Sequence, residues 1–318
     1  MDTINRISDF INSEIAAISY PAEPSGLYKP IQYTLAGGGK RLRPTLLLLS
    51  CEAFGKDFKF ALPQALGIEI YHNFTLLHDD VMDHADLRRG RPTVHRRWNE
   101  ATAILSGDAM LTLATQYIVK NAGEKTARVL DVFNRMAIDV YEGQQFDMDF
   151  EKHNDVTLNE YLNMIRLKTS VLLGCACEIG AIMADAPQAD VERLRHMAID
   201  MGVAFQLQDD YLDTFGDPST FGKQIGGDIV NAKKTALLII AAKRDPSIYT
   251  LINSDIDDDE KITAVTRMFI STEAVDECRK MIDDYARKAI DTLDAVNIGE
   301  DAKAHFRKLI EKCSVRNV

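Results

Sequence analysis

No stretch of the 318-residue chain is apolar for long enough to cross a bilayer. The runs at residues 46–49 and 236–242 fall far short of the ~20 residues that a spanning helix needs. Met1 to Ile18 mixes apolar with polar and charged residues and lacks the apolar centre of a signal peptide. A cytoplasmic chain with no transmembrane segment is therefore expected. A basic balance is missing too: 37 Lys and Arg stand against 48 Asp and Glu, a net charge of −11. Nucleic acid is not an expected partner, because phosphate backbones need a net basic surface. Small anionic substrates remain open, since they respond to local charge. Cysteine is scarce and scattered: Cys51, Cys175, Cys177, Cys278 and Cys313 are odd in number and irregular in spacing, which argues against a disulfide framework. Cys175-Ala176-Cys177 has no second pair nearby, so buried thiols are expected rather than zinc.

Runs of β-branched strands with hairpin turns, low-complexity linkers, composition breaks and short-period repeats are also lacking. What is present is helical patterning. Residues 61–77, 101–120, 127–146, 158–184 and 191–211 are rich in Ala, Leu, Ile and Met at 3.6-type spacing. Pro63 and Pro187 stand where helices would begin. With 46% hydrophobic residues the chain can bury a sizeable core. One all-α domain, residues 1–318, of roughly ten or more helices is expected.

Two segments carry chemistry of one kind: Asp79-Asp80-Val81-Met82-Asp83 and Asp209-Asp210-Tyr211-Leu212-Asp213. Each follows a long apolar helical pattern. In a helix, positions i and i+4 share a face, so Asp79 lies above Asp83 and Asp209 above Asp213. Such carboxylates repel unless a cation sits between them, and hard oxygen ligands suit Mg²⁺, which completes its shell with water and phosphate. One DDxxD could equally be a solvated helix end; a pair favours function. Two incomplete clusters serve as controls. Asp283-Asp284 has Arg287 where the third Asp would fall, and the acidic run 257–260 has Lys261 at i+4 from its first member. Both read as surface.

Basic residues form a second constellation. Gly37-Gly38-Gly39-Lys40-Arg41-Leu42-Arg43-Pro44 sets a flexible backbone beside three cations, and Leu87-Arg88-Arg89-Gly90-Arg91-Pro92 follows the first acidic motif. Glycines let a main chain approach an anion, and Arg forks match phosphate oxygens. P-loop spacing is absent. The economical reading is two diphosphate sites, one reached through Mg²⁺ and one held directly by Lys and Arg.

These motifs, with Gly107-Asp108, Gly143-Gln144, Lys168-Thr169, Gln206 and Phe221-Gly222-Lys223 in the same order, resemble the trans-isoprenyl diphosphate synthases. The resemblance runs from about Gly37 to Ala242. It implies the isoprenoid synthase fold, a single large helical bundle around a central apolar cavity, and usually a homodimer. It implies that Asp79, Asp83 and Asp209 hold Mg²⁺, with Asp80 and Asp213 supporting. Lys40, Arg43, His72 and Arg89 would bind isopentenyl diphosphate, and Arg88 the allylic prenyl diphosphate. Lys168, Lys223 and Lys233 would bind the leaving diphosphate. Thr169 and Gln206 would sit beside the reacting carbons, and Gln144 and Asp147 would support them. The implied reaction is ionisation of the allylic substrate, head-to-tail condensation and loss of a proton.

Product length would be set one to two turns before Asp79, where Phe74 and Tyr71 are bulky and Thr75 is small. This resembles short-chain members making the C20 geranylgeranyl product, with C15 farnesyl close behind. Two rivals are a terpene cyclase, which needs no isopentenyl site, and a non-catalytic subunit of a heteromeric synthase, which often loses an Asp-rich motif.

Overall fold

A computed structural model of the chain describes residues 3–217 and 225–314. Its regular structure is helical apart from one small hairpin, so the all-α expectation holds. The chain divides into two compact units that interleave along the sequence. The first takes in residues 1–135, 175–192 and 298–305, and the second residues 136–174, 193–297 and 306–318.

The first unit contains α1 (Thr3–Ala16), α2 (Ser25–Leu35), α3 (Leu42–Ala53), α4 (Leu62–Met82), α5 (Val94–Arg97) and α6 (Glu100–Val119). It also holds the start of α7 (Thr126–Phe150), whose later residues belong to the second unit. Pro63 opens α4, where its missing N–H costs nothing. Leu66, Ile68, Ile70, Tyr71, Phe74 and Leu77 of α4 are buried, along with the polar Gln64, Glu69, Asn73 and Asp80. A helix apolar on so many sides belongs in a core. Residues 61–77 were expected to be helical; the helix runs on to Met82, so the first acidic motif lies on its last turn. A buried ion pair ties the unit together: Arg41 Nη1 lies 2.5 Å from Glu69 Oε1, with both side chains 3% exposed. Arg41 also donates to Asn12 Oδ1 and the Leu35 carbonyl, and Glu69 accepts from Asn73.

Strands β1 (Leu87–Arg88) and β2 (Arg91–Pro92) pair antiparallel, with Leu87 opposite Pro92. Their two-residue turn, Arg89-Gly90, has positive φ at both positions (53° and 72°), as a type I′ hairpin requires. This hairpin escaped the sequence reading because its strands are too short to show any alternation.

The second unit contains the rest of α7, α8 (Leu158–Ile165), a π-helical turn at Arg166–Ser170 and the start of α9 (Val171–Met183). It continues with most of α10 (Gln188–Phe215), then α11 (Gly227–Val230), α12 (Ala236–Arg244), α13 (Ile248–Ile252), α14 (Asp258–Ser271) and α15 (Ala274–Asp294). The end of α16 (Glu300–Ser314) also belongs to it. Thr157 and Glu160 form a capping box at the start of α8. Every residue of α12 from Ala236 to Ala242 is buried, in a core with Tyr161, Leu207, Tyr211, Phe269 and Ile282. All five cysteines are buried and unbridged, and burial pushes the thiols of Cys51, Cys175, Cys177 and Cys278 up.

Candidate active site

Both acidic motifs occupy the C-terminal ends of long helices: Asp79 to Asp83 close α4, and Asp209 to Asp213 lie in the last turns of α10. The helix macrodipole is negative there and disfavours the carboxylates in the last turn, Asp79, Asp80 and Asp83 of α4 and Asp213 of α10, and neither last turn carries a basic residue. The incomplete clusters are arranged in the opposite sense. Asp257 caps the N-terminus of α14, accepting from the amides of Asp259 and Glu260, where the dipole favours acids. Asp284 pairs with Arg287 on the surface of α15. Of these four clusters, the two complete motifs are the ones that gather like charge toward a helix C-terminus.

Within each motif the second Asp differs from its neighbours. Asp80 is buried, and its Oδ1 accepts from Arg88 Nε at 2.6 Å. Burial raises its carboxyl above the usual range, and the Arg88 guanidinium works against that. Asp210 is 3% exposed and accepts from Tyr161 Oη and from Gln206 Nε2, the latter at 2.9 Å. Burial pushes its carboxyl up to about 6, although Lys233 acts in the other direction. Asp79 and Asp209 are half-buried and Asp83 is exposed. Asp213 is buried and accepts from the Asp228 amide at 2.9 Å, fixing the start of α11. Asp210, Tyr161 and Asp228 were missed as site residues; only the place of Asp210 inside the motif could have flagged it.

The first unit also gathers the expected isopentenyl residues. Arg43 Nη1 donates to His72 Nε2 at 3.3 Å. Burial and the guanidiniums of Arg43, Arg89, Arg88 and Arg41 hold His72 well below its ordinary pKa, so the ring is neutral and can accept that bond. Arg89 donates to the Gly38 carbonyl. Gly39 lies at φ +137°, and a Cβ there would stand 3.1 Å from the Arg89 guanidinium. The glycine run therefore exists so that Arg89 can lie on the loop that carries Lys40, which is exposed. Arg41 differs from the other two cations of this segment, being consumed by the buried pair with Glu69. A small, half-open pocket within this unit is lined by Asp80, Arg88, Arg89, Arg91 and Asn73 among others.

In the second unit, Lys168 and Thr169 sit on the π-helical turn, a distortion frequent at functional sites. A Cβ on Gly143 of α7 would come within 2.3 Å of the Lys168 nitrogen, so glycine there permits the close approach of the two segments. Lys168 Nζ meets Asp147 Oδ2 at 2.5 Å. Thr169 donates to Gln206 Oε1 at 3.0 Å, which makes a chain Thr169–Gln206–Asp210–Tyr161. Burial works against the charge of Lys233, but Asp210, Asp228, Asp147 and Asp209 outweigh it and raise its pKa. Lys223, with Phe221, Gly222 and Arg316, lies outside the described residues.

The candidate length-setting residues belong to the first unit. Tyr71 is fully buried and Phe74 is 5% exposed. Tyr71 meets Phe74 at 5.5 Å and Phe133 at 5.2 Å between ring centroids. Phe133, on α7, was not foreseen. Thr75 turns its hydroxyl back to the His72 carbonyl at 2.9 Å.

The chain belongs to the polyprenyl synthetase family, whose model matches residues 24–269. It is a prenyltransferase. A geranylgeranyl diphosphate synthase of Methanosarcina mazei is 35% identical over 93% of this chain and 92% of that protein. A geranylfarnesyl diphosphate synthase of Natronomonas pharaonis is also 35% identical, over 91% and 89%. A crystal structure of a geranylgeranyl pyrophosphate synthase superposes with a TM-score of 0.94 at 40% identity, covering 100% of both chains. That of the Corynebacterium glutamicum enzyme, complexed with isoprenyl diphosphate and magnesium, gives 0.84 at 28% identity, covering 99% and 96%. Among the described residues no helix is long and apolar enough to cross a membrane.

Proposed function

We propose that the chain extends allylic prenyl diphosphates with isopentenyl diphosphate in a Mg²⁺-dependent reaction and releases mainly the C20 geranylgeranyl product. The observation that carries this reading is the division of labour between the two kinds of cluster. Carboxylates stacked at i,i+4 near the C-terminal ends of two helices suit a hard cation. The basic group of Arg43 and Arg89 near His72, with Lys40 exposed on the adjoining loop, can take a diphosphate directly.

Each motif by itself offers donors of the kind Mg²⁺ takes: hard oxygens on Asp79 and Asp83, with Asp80 beside them, and on Asp209, with Asp210 and Asp213 beside it. Among the described residues no three His, Cys, Asp or Glu side chains are grouped so as to hold a metal ion by themselves. Mg²⁺ characteristically completes its shell with water and diphosphate oxygens. When bound, the metal neutralises charge building on diphosphate as the allylic C–O bond breaks. Asp80 and Asp210 do not need to ligate; they orient Arg88 and Gln206. Arg88 uses Nε for Asp80 and turns the rest of its fork to the allylic diphosphate. Lys168, Lys223 and Lys233 take up negative charge on the leaving group. Thr169 and Gln206 are already occupied by each other, so they present dipoles that steady a carbocation without attacking it. Lys40, Arg43 and Arg89 fix the isopentenyl group for its double bond to attack.

Overall identity does not decide product length, since C20- and C25-type relatives are equally similar. The buried aromatic pair Phe74 and Tyr71 favours a short product. A homodimer in the cytoplasm, formed from one domain per chain, completes the proposal. The exposed Ile104 and Leu105 on α6 favour association (44% and 61% exposed).

The test is incubation with Mg²⁺, isopentenyl diphosphate and dimethylallyl, geranyl or farnesyl diphosphate in turn, with products read by mass spectrometry. Metal-dependent C20 diphosphate is expected. A hydrocarbon formed from the allylic substrate alone would install the cyclase reading. Binding without turnover would install the subunit reading.

A further inference from the structure

Gly107 on α6 has no room for a side chain. A Cβ there would lie 2.1 Å from His78 Nε2 and 2.5 Å from its Cδ2, and the three nearest atoms all belong to that ring. Two further contacts put the ring in this place. Its Nε2 donates to the Ile104 carbonyl near the start of α6 at 3.1 Å. On another side it meets Phe74 edge-on, with centroids 4.8 Å apart. His78 immediately precedes Asp79, so the clamped ring belongs to the turn that carries the carboxylates. That turn has reason to loosen. Asp79 and Asp83 repel at i,i+4, the macrodipole opposes them, and helix ends open most easily. The backbone bonds from Asp83 N to Asp79 O and from Ala85 N to Asp80 O, at 2.8 and 3.0 Å, hold the turn internally. His78 reaches instead from the turn to a second helix.

We propose that His78 is a positioning residue: clamped between Phe74 and Gly107, it holds the Asp79–Asp83 turn on α6 and couples metal affinity to the side chain that limits product length. The inference rests on the metal role given above to Asp79 and Asp83. Groups beyond the ligands that fix their orientation typically change metal affinity 10–100-fold when removed. The coupling runs in both directions. Shrinking Phe74 frees the ring and weakens metal binding, and removing the ring frees Phe74 and shifts the product spectrum.

The experiment compares wild type with His78→Ala, His78→Gln, Gly107→Ala and the His78→Ala/Gly107→Ala double variant. Calorimetric titration of Mg²⁺ in the presence of inorganic diphosphate is read beside product lengths and thermal unfolding. His78→Ala should bind Mg²⁺ roughly tenfold or more weakly and give longer products. Gln keeps a donor near Nε2 and should restore most of the affinity. Gly107→Ala should mimic the loss of the ring, and the double variant should be no worse than His78→Ala, because the methyl then meets an empty space. Losses that multiply in the double variant overturn the clamp. So does a His78→Ala protein that melts earlier yet binds Mg²⁺ and makes products as wild type does. If Gly107→Ala fails to fold, the contrast between Ala and Gln at position 78 still decides. Wild type that binds no Mg²⁺ with diphosphate would remove the metal reading and the clamp together. Normal wild-type binding with unaffected variants removes the clamp alone.

Discussion

Replacing Glu69 with Gln should be among the most damaging single changes available outside the acidic motifs. Arg41 and Glu69 are each 3% exposed and 2.5 Å apart. Neutralising one member leaves a guanidinium buried without its counter-charge, a loss of ~3–5 kcal/mol. A globular domain has only ~5–15 kcal/mol in hand, so roughly a fifth or more of the stability should go. On a urea slope of ~3 kcal/mol per molar the unfolding midpoint should fall by about 1 M, and by less in proportion to the steeper slope that a larger chain gives. The loss should reach substrate binding too. Arg41 sits at φ 49° as the N-cap of α3, between Lys40 and Arg43, so its anchorage sets the backbone that presents both. The KM for isopentenyl diphosphate should rise more than kcat falls. Replacing both partners, Arg41→Met with Glu69→Leu, should recover most of the stability but not the low KM. A Glu69→Gln protein within about 0.5 kcal/mol of wild type would refute the argument, because that is the range of an ordinary surface change.

Phe74→Ala should lengthen the products by at least one isoprene unit and cost ~3–5 kcal/mol in unfolding free energy; an unchanged product distribution by mass spectrometry would remove Phe74 from the wall. Gly39→Ala places a methyl 3.1 Å from the Arg89 guanidinium at φ +137°, and should raise the KM for isopentenyl diphosphate while leaving allylic binding nearly intact. Equal effects on both substrates would mean that the loop does not serve one site. His72 has its folded pKa depressed, so its contribution to stability is complete above the unfolded value of ~6.5 and is lost as pH falls below it. Urea midpoints should drop between pH 7 and pH 5 and drop less in His72→Gln; identical slopes would contradict the depressed pKa.

The helices and the motifs were legible because both are local. Apolar spacing marks α4, α6 and α10 whatever surrounds them, and an i,i+4 carboxylate pair can be read directly from residue numbers. What escaped is non-local. Arg41 is indistinguishable from Lys40 and Arg43 in sequence, and only burial against Glu69, 28 positions away, separates structure from function. Tyr161 gives no sign in sequence that its hydroxyl serves Asp210, 49 positions on. Phe133 joins Tyr71 across helices, which periodicity cannot see. The π-helical turn at Lys168 looks like ordinary helix in sequence, since the bulge depends on the close approach that Gly143 allows. The helix ends were also underestimated. The pattern of residues 61–77 stops where the acids begin, because charged residues interrupt an apolar periodicity without interrupting the helix.

The two buried middle carboxylates separate anchoring from ligation. Asp80 stands between half-buried Asp79 and exposed Asp83, and Asp210 between half-buried Asp209 and buried Asp213; each is engaged by a neighbour, Asp80 by Arg88 and Asp210 by Tyr161 and Gln206. Asp210→Asn is nearly isosteric, but it presents an NH₂ donor to one of two donors. Leaving a buried donor unsatisfied costs about 1–3 kcal/mol, and Gln206 loses the acceptor that holds its amide toward Thr169. The stability loss should therefore exceed that of Asp209→Asn, whereas Asp209→Asn should weaken Mg²⁺ binding in the presence of diphosphate far more. Unfolding free energies and metal titrations on the two variants make the comparison. If Asp210→Asn proved fully stable and lost metal as severely as Asp209→Asn, the middle residue would be a ligand, and the same reassignment would then extend to Asp80.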